Sequence, residues 1–176
     1  MAMLKDFNII ATTSRGNERE AISELRYLLE QVGDPNPTIT RTGASGLIVA
    51  KTQLDPFQVI NSLRGILHER PYEFRYMLRV MPIQRVVRTD IEEIKHAVAE
   101  LATGLGENET FRVTVEKRFT TMSSHDMIEA AAKTIQRTVN LEKPDKVVLI
   151  EVIGGFTGVS VLKPELVISV LKEKLM

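Results

Sequence analysis

The segment from Phe111 to Leu162 constrains the fold most, because its hydrophobic pattern changes between period two and helical spacing. Residues 111–115 alternate apolar and polar side chains, which predicts a half-buried strand. Helical spacing follows from Ser123 to residue 139. Residues 147–162 then read as a nearly continuous apolar strand, a glycine-rich turn and a last strand. Strands that alternate with a helix in this way predict a mixed α/β sheet domain.

The first 80 residues show the order strand, helix, strand, strand, helix, strand, which is the split βαβ or ferredoxin-like pattern. Helix signals are Asn17 with Glu20 at capping-box spacing, and Asp55 followed by proline at the first helical position. The predicted strands cover residues 7–12, 39–40, 47–51 and 74–80. We therefore expect a mixed α/β (α+β) protein with an N-terminal ferredoxin-like domain at residues 1–80 and a second α/β domain at residues 81–176. Thr89 is expected to cap the first helix of the second domain, and a helix is expected from Pro164 to Lys174.

Composition places the chain among ordinary globular proteins. It has 43% hydrophobic and 26% charged residues, no cysteine, and 23 basic against 23 acidic side chains. Without cysteine there is no disulfide, thiol nucleophile or thiolate metal site. No apolar run reaches the roughly 18 residues of a membrane span, and the N-terminus has no signal-peptide pattern. We expect a cytoplasmic protein with no membrane partner.

The sequence from Arg64 to Arg88 has a local surplus of positive charge, because it contains six arginines and only two glutamates. Arginine offers a planar fork of donors that suits phosphate. Alternation predicts Arg75 and Arg79 on one face of a strand, and Arg85 and Arg88 flank the start of the second domain. These four are candidate RNA-binding residues, and solvated surface positions are the alternative.

The second candidate group follows the strand that starts at Phe111. Lys117 and Arg118 end that strand, and a loop of hydroxyl residues leads to a predicted helix N-terminus with Ser123, Ser124 and His125. Unpaired amides and the helix dipole attract anions there, so two adjacent cations make a phosphate site. An ordinary strand–helix connection is the alternative. The aromatic residues occupy mostly apolar positions, so we predict no base-stacking platform.

Nothing in the sequence predicts catalysis. Ser123, His125 and Asp126 are chain neighbours, whereas a triad needs its three groups in one line through space. The glycines at 154–158 match neither a Walker A loop nor a dinucleotide-binding turn. His68 and His96 have no metal-ligand spacing. We expect no catalytic residue, no metal and no cofactor.

Three stretches resemble the THUMP domain, a tRNA-binding module: Phe111–Arg118 (FRVTVEKR), Leu141–Asp145 (LEKPD) and Val148–Leu162 (VLIEVIGGFTGVSVL). The resemblance extends over residues 83–162, and the first domain is similar to the ferredoxin-like domain that usually precedes THUMP. It is strongest to the stand-alone adaptors for cytidine N4-acetylation of tRNA, to which the closing LKPELVISVLKE is also similar.

The resemblance implies a function and a set of partners. Proteins of this branch bind tRNA through its acceptor stem and 3′ end and present it to a separate RNA cytidine acetyltransferase. By position, Lys117 and Arg118 match the basic strand end of the family motif, and Ser123 and Ser124 match its small polar loop. The chain ends at Met176 without the catalytic domain of most THUMP enzymes, so we expect a non-catalytic adaptor. A small standalone RNA-modifying enzyme and a protein-interaction module without an RNA role are the alternatives.

Overall fold

A computed structural model describes residues 2–176 of the chain, which form two compact units. The first unit comprises residues 2–83 and Glu165–Met176, and the second comprises Gln84–Pro164. Short 3-10 turns lie at Pro71–Glu73, Ala102–Gly104 and Pro164–Leu166. The strands and helices, in chain order, are β1 (Ile9–Thr13), α1 (Glu18–Gln31), β2 (Thr38–Arg41), β3 (Leu47–Lys51), α2 (Pro56–Glu69), β4 (Met77–Pro82), β5 (Arg85–Arg88), α3 (Ile91–Leu101), β6 (Phe111–Arg118), α4 (Ser124–Lys133), β7 (Lys146–Ile153), β8 (Phe156–Leu162), β9 (Ile168–Ser169) and α5 (Val170–Lys174).

The first unit has the expected order β1-α1-β2-β3-α2-β4, and its sheet is ordered β2-β3-β1-β4-β9 with antiparallel neighbours throughout. The apolar faces of α1 and α2 pack against this sheet and form one hydrophobic core with it. Leu25, Leu28, Ile60 and Leu63 are fully buried there. The ferredoxin-like pattern read from the sequence is therefore present in this unit.

The C-terminal segment joins the first unit, although the expected second domain ran to residue 176. The expected helix from Pro164 to Lys174 is instead a 3-10 turn, the two-residue strand β9 and the short helix α5. β9 pairs with β4, with Ile168 opposite Val80, and both side chains are fully buried. The pairing of β9 with β4 extends the sheet by a fifth strand.

The sheet of the second unit is ordered β5-β8-β7-β6. β6 runs parallel to β7, and the other neighbours are antiparallel. Helices α3 and α4 cover one face, where alternate strand residues are apolar. The buried residues on that face include Ile94, Val98, Met127, Ala131, Val148, Ile150, Val152 and Val159. This arrangement aligns the starts of both helices with one end of the sheet.

Three local expectations are wrong. Asn17 makes no side-chain cap bond, and Asp90 rather than Thr89 caps α3 by accepting from the Glu93 amide at 3.1 Å. Helix α4 ends at Lys133 instead of reaching residue 139. The chain leaves the helix because residues 138–140 pair with Phe111 at the outer edge of β6.

No helix among the described residues is long and apolar enough to cross a membrane.

Candidate nucleic-acid interface

One end of the second sheet carries two of the predicted arginines in a single row. Arg88 of β5 is opposite Phe156, Phe156 is opposite Ile153, and Ile153 is opposite Arg118 of β6. Three strand spacings of about 4.8 Å separate the two arginine backbones by roughly 14 Å. Alternation places both side chains on the face away from α3 and α4, because Val87 and Val115 lie on the helix face. This row is called the basic row below.

Lys117 lies one residue earlier on β6, and its side chain is therefore on the helix face. Its ammonium group donates to the Met122 carbonyl at 2.9 Å, which brings it to the start of α4. Ser123 caps that helix by accepting from the Asp126 amide at 3.2 Å. The predicted grouping of Lys117 with Ser123 and Ser124 therefore exists in space, with Lys117 exposed to solvent.

The two helix N-termini at this end differ in their suitability for an anion. α3 is capped by the Asp90 carboxylate and continues with Glu92 and Glu93, so negative charge already occupies its positive end. α4 is capped by a neutral hydroxyl, has a single acidic residue, Asp126, in its first turn, and has Lys117 beside it. An open groove of about 390 Å³ lies between the two starts, lined by Thr89, Asp90, Ile91, Met122, Ser123 and Asp126. Within this unit, the start of α4 is the better candidate for a phosphate site.

Arg118 has a structural partner that the sequence did not reveal. Its guanidinium donates to the Glu151 carboxylate at 3.1 Å, and the Glu151 side chain is only 2% exposed. The Arg118 side chain is 21% exposed, so part of it still reaches water. A buried carboxylate without a cation is strongly unfavourable, and Arg118 therefore neutralises Glu151 first. Only the exposed part of the Arg118 side chain is therefore available to a ligand.

Arg85 and His125 are each paired with a glutamate on a helix. Arg85 forms an ion pair with Glu100 of α3, and that hydrogen bond lowers the pKa of the Glu100 carboxyl below its ordinary value. His125 is 3.2 Å from Glu129 on the next turn of α4 and is highly exposed. Arg85 starts β5 and lies roughly 10 Å of strand away from Arg88, so it is not part of the basic row.

Arg75 and Arg79 belong to the first unit. The expectation that they share a strand face is wrong, because β4 begins at Met77 and Arg75 precedes it. The backbone there is held by Glu24 of α1, whose carboxylate accepts from the amides of residues 75–77 at 2.7 to 3.2 Å. Both arginine side chains are exposed to solvent.

Phe119 is an exposed aromatic residue next to the predicted cations, although the aromatic residues were expected to occupy mostly apolar positions. It follows Arg118 directly, its side chain is 68% exposed, and its φ is 60°. A positive φ is unusual for a residue with a bulky side chain. The amide of Gly154 donates to the Arg118 carbonyl at 2.8 Å and fixes the backbone at this point.

The arrangement contains no assembled triad. The Ser123 hydroxyl accepts the Asp126 amide as a helix cap, while Nε2 of His125 is directed to Glu129. Nucleophile and base are thus engaged with different partners. Among residues 2–176, no group of three or more histidine, aspartate or glutamate side chains could hold a metal ion.

Comparison with known proteins identifies the second unit. Residues 88–162 match the sequence family described as the THUMP domain, and the chain therefore contains a THUMP domain. The matched stretch begins at Arg88 and ends at Leu162 of β8. It thus includes α3, β6, α4, β7 and β8, and with them the start of α4 and the whole basic row.

Relatives and solved structures extend the likeness to both units. The uncharacterized protein MJ0421 of Methanocaldococcus jannaschii is 25% identical over 170 residues, which are 94% of this chain and 43% of that protein. Among structures, PH1313 from Pyrococcus horikoshii has a TM-score of 0.67 at 18% identity, covering 90% of this chain and 55% of its own. TrmN from Thermus thermophilus has a TM-score of 0.62 at 16% identity, over 89% and 45% of the two chains.

A 4-thiouridine synthetase crystallised with RNA and ATP has a TM-score of 0.55 at 15% identity, covering 90% of this chain and 42% of its own. At these identities the likeness shows a shared fold. The chain spans about half the length, or less, of the proteins that it matches.

Proposed function

We propose that this chain, which contains a THUMP domain, is a non-catalytic tRNA-binding adaptor that presents tRNA to a separate RNA cytidine acetyltransferase for N4-acetylcytidine formation. The observation that carries the RNA-binding part is the placement of Arg88, Lys117 and the start of α4 at one end of the THUMP sheet. A structure of similar fold was crystallised with RNA, which supports the same part. The adaptor part rests on the resemblance in FRVTVEKR and the glycine-turn segment, and on the engagement of Ser123 and His125 in other bonds.

The arrangement recognises phosphate and shape rather than base edges. Arg88 has no ion-pair partner among the described residues, and Lys117 bonds only a carbonyl, so both charges are available to a phosphate. Arg118 contributes the exposed part of its side chain to phosphate binding, and its ion pair keeps Glu151 neutralised. With few free cations at this end of the sheet and zero net charge over the chain, binding should be modest and should weaken with salt.

A titration of one full-length tRNA at two salt concentrations tests RNA binding. Arg88→Gln and Lys117→Gln should each weaken binding and reduce the dependence of log Kd on log salt by about one unit. Lys143→Gln is the matched control, because Lys143 is exposed but lies in the loop before β7, at the opposite end of the sheet. Equal losses in all three variants, or none, would contradict the interface.

A second candidate function is a small standalone RNA-modifying enzyme. It is supported by the fold, since one structure of similar fold is a 4-thiouridine synthetase. Incubation of the protein with tRNA and either acetyl-CoA or S-adenosylmethionine separates the two. A modified nucleoside formed without any other protein would favour the enzyme over the adaptor.

A further inference from the structure

Phe119 combines an unfavourable backbone with an exposed ring. Among the described residues it is the one non-glycine residue with a positive φ, at 60°. Residues in such conformations are strained, and they persist where the surrounding structure holds them. Glycine or asparagine would relieve this strain, yet the position holds a large apolar side chain that is 68% exposed.

The surroundings of the ring are open and polar. On one side, a Cβ built on Gly154 would lie 4.0 Å from the Phe119 Cβ, and one built on Gly155 would meet nothing within 4 Å. The β7–β8 turn therefore lies beside the Cβ of Phe119, and Gly155 of that turn borders open space. Next to it in the chain lie Lys117 and Arg118, and the hydroxyl of Thr120 accepts from the Met122 amide at 3.2 Å.

A single exposed apolar side chain is ordinary on a protein surface. Three features distinguish Phe119 from Leu141, which is similarly exposed at 66%. Its backbone is strained, cations adjoin it in the chain, and the turn beside its Cβ carries glycines at residues 154 and 155. Within the described residues it belongs to neither apolar core.

We infer that the Phe119 ring is a stacking platform for an unpaired nucleobase of bound RNA. The inference rests on the proposed RNA binding and adds a contact to it. Lys117 and the start of α4 hold the phosphates, and the ring takes the face of a base displaced from pairing. Stacking accepts any base, because every base has a π face. The interface would therefore favour RNA that has a single-stranded segment over continuous duplex.

Tryptophan fluorescence tests this contact directly, because the chain contains no tryptophan. In Phe119→Trp the new indole would be the sole reporter, and stacking with a base quenches its emission. Full-length tRNA should quench it, and a blunt RNA duplex should not. Leu141→Trp is the matched control, since Leu141 is equally exposed near the opposite end of the sheet, and tRNA should leave its emission unchanged. Repeating the titration with tRNA that lacks its 3′ single-stranded end shows whether the stacked base lies there or elsewhere.

A second variant separates stacking from a structural role. Phe119→Asn suits the left-handed backbone and should leave Tm equal or higher, while it weakens tRNA binding by about 5- to 150-fold. A structural role would instead lower Tm and leave affinity unchanged. If tRNA binds the wild-type protein but the indole at 119 is not quenched, the stacking contact is refuted and RNA binding stands. If tRNA does not bind at low salt, both are refuted.

Discussion

The ion pair between Arg118 and Glu151 leads to a specific stability prediction. Glu151 is 2% exposed on the central strand β7, and Arg118 reaches it at 3.1 Å from the end of β6. Removing one partner of a buried pair costs about 3 to 5 kcal/mol, because the remaining charge stays buried without the opposite charge of its ion-pair partner. Since the Arg118 side chain is 21% exposed, water can reach part of the site, and we expect the lower end of that range. Arg118→Met should therefore lose about 3 kcal/mol of unfolding free energy, or about 6 to 12 °C in Tm for a chain of this size.

A double-mutant cycle in a denaturant titration isolates the pair. Arg118→Met combined with Glu151→Gln should recover a large part of the loss, because the buried charge is then gone. Lys117→Met is the matched control, since Lys117 is adjacent but exposed and bonds only the Met122 carbonyl. A loss below about 1 kcal/mol in Arg118→Met, or a loss equal to that of Lys117→Met, would refute the reasoning.

Three further substitutions should lower stability for separate reasons. Glu24→Gln weakens the charge-assisted bonds to the amides of residues 75–77 and should cost about 2 kcal/mol in denaturant unfolding. Gly46→Ala should lower the free energy of unfolding by at least about 2 kcal/mol. The reason is that φ at Gly46 is +72° and the new Cβ would lie 2.4 Å from the Thr13 carbonyl oxygen. An unchanged Tm would contradict this. Ser123→Ala removes the cap of α4, should cost about 1 kcal/mol, and should speed amide exchange in the first turn of that helix alone.

Local patterns predicted much of the fold. Asp55 followed by proline predicted the start of α2, and the Asp55 carboxylate does accept from the Phe57 amide at 2.9 Å. Alternation in FRVTV predicted β6, and the apolar run before Gly154 predicted β7. These signals are local, because a helix stripe or a strand face is set by residues a few positions apart.

Features that depend on distant pairing were not predictable in this way. β9 is only two residues long, and it forms a strand because it pairs with the edge of β4, some ninety residues earlier in the chain. Nothing in the sequence around Glu151 indicates an ion pair, because its partner Arg118 is distant in the chain and adjacent only in the fold. Phe119 has a positive φ and follows Arg118, whose carbonyl accepts from the amide of the distant Gly154. The sequence thus predicted candidate residues at the strand ends, but the ion pair of Arg118 and the exposure of Phe119 became visible only in the structure.

Reconstitution of the modification tests the central proposal most directly. tRNA, acetyl-CoA and an RNA cytidine acetyltransferase would be combined with and without this protein, and nucleosides would be measured by mass spectrometry. We predict N4-acetylcytidine in tRNA only when the protein is present, with a reduced yield for Lys117→Gln. Equal acetylation without the protein, or modification by the protein and acetyl-CoA alone, would contradict the adaptor function.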